Sequence, residues 1–286
     1  MRILHCSDVH ITEPLEQTGF LRRGPRFWMA YYELVLEGRA RAYARAAETL
    51  AAIARDVGRH GVDHLVLSGD LTSSALPSEF AAAAAALGPL ARDPRRCTVI
   101  PGNHDCHHPA AVRERRFERH FAALLESDLP AHARVGPWPL VRLLGDSAAV
   151  IALHGSLVPS IPGVSYGRLG PLQRDGLRAA LADPALTGRA VLVVVHHAPR
   201  RGDGRPDKLS HRLLDAEALL ELLPGPRFAV LHGHIHRRYH HPATDVRPHL
   251  FGAGSSTQAG KEGYWLIDVA GGRVTGGRAH PVSGER

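Results

Sequence analysis

Cysteine is scarce in this chain of 286 residues: there are three, Cys6, Cys97 and Cys106. Their odd number and irregular spacing exclude a disulfide framework and a cysteine zinc site, and point to a reducing cytoplasm. Lysine is scarcer still. Only Lys208 and Lys261 are present, so arginine supplies 33 of the 35 basic residues. The net charge of +7 therefore argues little for nucleic acid. Beside so much Ala, Gly and Pro, the arginine excess reads as the habit of a GC-rich genome. No apolar run reaches about 18 residues, which excludes a transmembrane helix. The opening "MRILHCS" reads as a strand, because it lacks the sustained apolar region and cleavage site of a signal peptide. Apolar residues at 44% suffice for a soluble core without disulfides. Histidine is the residue in excess, with 20 copies, many in short clusters. Imidazole is the commonest transition-metal ligand and the usual proton carrier near neutral pH.

Short apolar runs predict buried strands at 3–6, 63–68, 97–100, 148–153, 190–195 and 228–231. Further strands are expected near 249–251, 264–269 and 273–278. Helical spacing runs through 39–60 (Tyr43, Ala47, Leu50, Ile53, Val57), 77–90, 110–125 and 171–181. Strands alternating with helices, then mostly strands, predict a layered α/β architecture with a β-rich second half. No linker or internal repeat is evident, so 1–286 reads as one domain with a cap or insertion at about 13–45. Within it, 20–45 is basic and aromatic (Phe27, Trp28, Tyr31, Tyr32). Three readings stay open there: an amphipathic helix packed on the core, a cap over a ligand cleft, or a helix lying on the inner membrane surface.

The informative pattern is positional. Five apolar strands each end in candidate metal ligands. The first runs into Asp8 and His10, the second into Asp70, and the third into Asn103, His104 and Asp105. The 190–195 strand ends in His196 and His197, and the 228–231 strand in His232, His234 and His236. Each block alone is ordinary, since Gly-Asp after a strand is usually a turn. Together they collect where α/β sheets bind ligands, outside the carboxyl ends of strands. Two nearby cations need about four donors each, and a carboxylate can bridge them while offsetting their repulsion. Gly69, Gly102 and Gly233 would permit the sharp turns that let backbone pass close to the ions. The i, i+2 spacing of His234 and His236 puts side chains on opposite faces of a strand, so a turn is required there.

In order, these blocks are Asp8-Val9-His10, Gly69-Asp70, Gly102-Asn103-His104-Asp105, His196 and Gly233-His234-Ile235-His236. The set resembles the calcineurin-like metallophosphoesterases and spans most of the chain. The resemblance implies a four-layer αββα sandwich of two mixed β-sheets flanked by helices. It implies that Asp8, His10 and His236 hold one metal and that Asn103, His196 and His234 hold a second, with Asp70 bridging. It implies that His104 acts on the substrate, with Asp105 orienting its ring. The cofactors would be two divalent or trivalent ions, Mn, Fe or Zn. His197 is the alternative to His196 and otherwise lies behind the ligands. His232 is expected to be a satisfied strand-end histidine. His107 and His108 are candidates for substrate contact.

The function so implied is hydrolysis of a small phosphodiester, a cyclic nucleotide or similar, by a hydroxide bridging the metals. Its rivals are a pyrophosphatase of nucleotide-linked or lipid-linked substrates, a phosphomonoesterase and a non-catalytic scaffold. The scaffold reading is weakened because every ligand position is filled. A nuclease working with partners would want a further domain or coiled coil, and no heptad run is present. The expected partner is a small phosphoester, with peripheral lipid contact through 20–45. The sequence leaves the oligomeric state open.

Overall fold

The computed structural model describes residues 1–13, 32, 38–158, 161 and 163–283. Most of the insertion expected over 13–45, with its aromatic run, lies outside the described residues. Two mixed sheets stack face to face. The first has the order β11-β10-β1-β2-β3, built from β1 (Arg2–Cys6), β2 (His64–Leu67), β3 (Cys97–Val99), β10 (Tyr264–Ala270) and β11 (Arg273–His280). The second has the order β4-β5-β6-β7-β9-β8. Its strands are β4 (Leu140–Leu144), β5 (Ala148–Ala152), β6 (Ala190–Val194), β7 (Phe228–His232), β8 (Arg238–His241) and β9 (His249–Ala253). β1, β2 and β3 run parallel, as do β5, β6, β7 and β9. Antiparallel strands close the edges of both sheets, except that β3 ends the first. Central strands buried on both faces need near-continuous apolar sequence, which is how "HLVL", "AVLVV" and "FAVLH" read.

Among the described residues the α-helices, in chain order, are α1 (Arg39–Ala42), α2 (Ala46–Arg59), α3 (Pro77–Leu87), α4 (Asn103–Cys106), α5 (Pro109–Arg113), α6 (Arg116–His120), α7 (Gly170–Leu181) and α8 (Ala216–Leu220). In α2, Leu50, Ile53 and Val57 fall on one face and are buried against the first sheet. Each such side chain contributes about 1.5–3 kcal/mol, which outweighs any propensity difference among the exposed positions. α3 starts at Pro77, and the Glu79 carboxylate accepts the N–H groups of Ser74 and Leu76, which holds its first turn. Behind β5, the Gln173 side chain of α7 accepts from the His154 N–H and donates to the His154 carbonyl. That pair ties the β5 exit to the helix.

The structure corrects three expectations. The single helix expected over 110–125 is broken into α5, α6 and a 3-10 turn, because Arg115 adopts φ 52° between them. The helix expected over 39–60 is interrupted after Ala42. Strands β4 and β8 were not anticipated. β4 carries the buried Arg142 in its middle, and β8 is the half-buried polar edge "RYHH". Among the described residues, no helix is long and apolar enough to cross a membrane. The three cysteines are buried and free.

Candidate metal centre

The exits of β1, β2 and β3 in one sheet and of β6 and β7 in the other open at the same end of the sandwich. Their backbones do something rare there. Seven non-glycine described residues have positive φ, and five of them are Asp8 (54°), His10 (52°), Asp70 (55°), His234 (72°) and His236 (55°). A left-handed residue costs about 1–2 kcal/mol outside glycine. It also reverses the alternation of a strand. That is how Asp8 and His10, or His234 and His236, point the same way despite i, i+2 spacing. The turns are thus made largely by the histidines and aspartates themselves, joined by Gly69 at φ 106°, while Gly102 and Gly233 serve closeness. A Cβ on Gly102 would collide with the Asp70 carboxylate, and one on Gly233 with Ser7 and Asp8.

The donor atoms of Asp8, His10, Asp70 and His236 all lie within 4.8 Å of one another. His10 Nε2 and His236 Nε2 are 3.1 Å apart, and His236 Nε2 is 3.2 Å from Asp8 Oδ1. On the other side of Asp70 a second group converges. His196 Nε2 lies 3.3 Å from Asp70 Oδ2 and 3.0 Å from Asn103 Oδ1, and His234 Nδ1 lies 2.9 Å from Asn103 Oδ1. All seven expected ligands are therefore brought together, with Asp70 shared between two groups. His196 is turned into the cluster. His197 is turned away, with Nε2 donating to the Ser165 carbonyl at 2.8 Å, though its ring packs 4.4 Å from that of His234.

The surrounding carbonyls set the tautomers. His196 Nδ1 faces the Ser68 carbonyl at 2.8 Å, so its Nε2 lone pair is left for the cluster. His234 Nε2 faces the His211 carbonyl at 2.8 Å, so its Nδ1 is the inward atom. Burial, His197 and His196 hold His234 well below the ordinary imidazole value, in its neutral, ligand form. Burial opposes charge on Asp70, yet His196, His104 and His10 hold its carboxyl well below the usual carboxylate range. Burial would also lower His196, but Asp70 raises it to about 9. A proton shared by that buried pair is what a cation would displace. Buried imidazoles, carboxylates and one amide oxygen facing each other at such distances fit a pair of borderline cations.

Two expected roles change. Asp105 does not orient the His104 ring. Its carboxylate accepts from the N–H groups of Leu71, Thr72 and Gly102 and from the Thr72 hydroxyl, so it clamps the β2 and β3 exits together. Burial and Asp70 push it up to about 7. The His104 ring instead meets the Ser73 carbonyl through Nδ1 at 3.1 Å and stands edge-on to His10, with centroids 4.8 Å apart. The backbone N–H of His104 donates to Asp70 Oδ1 at 2.8 Å. His232 is only half satisfied. Nδ1 is near the Gly233 carbonyl, while Nε2 is buried without a partner. His107 and His108 engage local backbone, at the Asn103 carbonyl and the Ala110 N–H.

Tyr43 was read only as an apolar helix position. It lies between α1 and α2, and its ring packs 4.9 Å from His10. Its hydroxyl bridges His236 Nδ1 (3.2 Å) and Ser255 Oγ (2.9 Å), and Ser255 donates to the Asp8 carbonyl. Nothing in local spacing marks either residue, because the contacts span 193 and 212 positions.

Two mixed sheets between helices, with a shared carboxylate at the strand exits, define the class as a metallophosphoesterase. The family model for calcineurin-like phosphoesterases matches residues 1–238, and the chain belongs to that family. A curated protein of Rhodococcus erythropolis, described as a "Probable cyclic nucleotide phosphodiesterase", is 30% identical over 197 residues. The match covers 68% of this chain and 58% of that relative's length. Among solved structures, a dimetal phosphatase from Danio rerio shares the fold at TM-score 0.61 and 13% identity, covering 99% of both chains. A purple acid phosphatase from yellow lupin seeds does so at TM-score 0.55 and 13% identity, covering 98% of this chain and 53% of the lupin one.

Proposed function

We propose that this chain is a metal-dependent phosphoric ester hydrolase acting on small phosphodiesters, a cyclic nucleotide or a similar diester. The observation that carries the reading is the convergence of two donor groups on one shared carboxylate, Asp70. Asp8, His10, Asp70 and His236 would hold one ion, and Asp70, Asn103, His196 and His234 the other. Two ions so held would supply Lewis-acid stabilisation of phosphoryl oxygens and a more acidic water. The remaining work falls to the chain. The His104 N–H fixes the orientation of the Asp70 carboxylate. The His104 imidazole, steadied by the Ser73 carbonyl, carries the proton that the departing ester oxygen needs. Asp105 keeps the two loops that present Asp70 and Asn103 in register. The diester preference is supported by the Rhodococcus relative. A cytoplasmic setting is supported by the three free, buried cysteines.

The test is turnover of an aryl phosphodiester beside its monoester, with Mn-loaded protein and a chelator control. Chelator-sensitive cleavage with the diester faster is expected. A faster monoester would make the chain a phosphomonoesterase. Cleavage of neither, with two metals bound, would move the reading to pyrophosphate or lipid-linked esters.

A further inference from the structure

A groove of about 600 Å³ opens beside the second donor group, lined by Arg201, Asp203, Asp207, Lys208, His211 and Arg237 among others. It adjoins the ligand cluster through His211 and Arg237. The His211 ring stacks on His234 at 3.9 Å, and Arg237 directly follows His236 on the same turn. Its charges are not balanced. Asp203 is taken by an ion pair with Arg201. Asp207 accepts from His211 Nδ1 at 2.7 Å and from the Lys208 N–H at 2.8 Å. Both carboxylates are thereby occupied within the wall. Lys208 and Arg237 are left exposed, with no carboxylate partner among the described residues. One of the chain's two lysines thus lines, with an arginine, a groove that neighbours the ligand cluster. Two unpaired cations converging on a concave surface recognise an anion.

We propose that this groove is a second-anion subsite, which takes a phosphate or carboxylate carried by the organic part of the substrate. The proposal rests on the diesterase reading and narrows it. The preferred esters bear an anionic group beyond the scissile phosphate, whereas a simple cyclic mononucleotide does not. Lys208 and Arg237 act on that distal group, and the metal ligands on the scissile one.

The experiment uses a matched pair, thymidine 5′-(p-nitrophenyl phosphate) and the same ester carrying a 3′-phosphate, with Mn-loaded protein. The scissile bond is identical, so only the distal anion differs. The 3′-phosphorylated ester is expected to have a KM lower by about tenfold, a preference that shrinks as salt is raised. In the Lys208→Ala, Arg237→Ala double variant the preference should collapse to within about twofold, and Lys208→Arg with Arg237→Lys should restore it. Equal KM values in the wild type, a preference that survives the double variant, or an equal loss on both esters would each overturn the subsite. Calorimetry with thymidine 5′-phosphate and thymidine 3′,5′-bisphosphate reads the same contrast without turnover. Tighter binding of the bisphosphate by a protein that cleaves neither ester would sink the diesterase reading and keep the subsite. Equal binding of the two would sink the subsite itself.

Discussion

Asp70 combines three demands in one residue: a left-handed backbone, a buried charge and a position between two donor groups. Asparagine tolerates the same backbone, so Asp70→Asn separates charge from strain. The variant should fold, fail to retain two metals, and lose roughly 10³-fold in turnover, about 4 kcal/mol of barrier. Two metals per chain in that variant, by elemental analysis, would contradict the bridging role. His104 makes a complementary case. His104→Ala should keep both metals and lose about 10²–10⁴-fold in turnover; an unchanged rate would remove it from the chemistry. Tyr43→Phe deletes one hydroxyl between His236 and Ser255. Its metal affinity should fall about tenfold or more, read by competition with a chromogenic chelator, and unaltered affinity would reduce Tyr43 to packing.

Among the elements, α2 is joined to the first sheet by more than its apolar face. Asp56 of α2 accepts from the buried Tyr264 hydroxyl of β10 at 2.9 Å and from the Ser283 N–H at 3.1 Å. Burial raises the Asp56 carboxyl, but the bonds from Ser283 and Tyr264, with Arg59, more than offset that and leave it below its usual value. A carboxyl lowered on folding contributes stability above the unfolded pKa near 4, and the contribution is lost as pH falls through the folded value. Tyr264→Phe should therefore cost about 1.5–3 kcal/mol at neutral pH, and progressively less below about pH 4. A pH-independent loss in urea titrations would place the effect in packing. The elements also show what the chain reveals locally. Near-continuous apolar strands such as β6 and β7 can be read because both faces are buried. β8 cannot, because its Arg, Tyr and two His owe their extended form to pairing with β9. The break at Arg115 is equally silent, since helical spacing continues through 110–125 while the backbone reverses sign at one residue.

For the molecule as a whole, the cluster joins the two sheets. Asp8, Asp70 and Asn103 leave the first, and His196, His234 and His236 the second. Ions bound there favour the stacked state by linkage, about 2.7 kcal/mol at a hundredfold excess over Kd. Removing metal with a chelator should therefore lower Tm by roughly 4–5 °C, and Asp70→Asn should show no such shift. The convergence of these residues was legible at this scale because chemistry restricts each position of a candidate metal site to a few residue types at strand exits. The parts acting through backbone carbonyls, at Ser68, Ser73 and His211, were not, because any residue supplies a carbonyl.

The last of those carbonyls bears on how such a protein can diverge. The loop through 201–211 both borders the groove and holds His234 by the peptide oxygen of His211. A change of side chain there alters what the groove recognises and leaves that oxygen in place, whereas an inserted or deleted residue would withdraw it. Descendants of this chain would reach new substrates by point substitution along 201–210, and a change of loop length would lose the metal site before it altered the choice of ester.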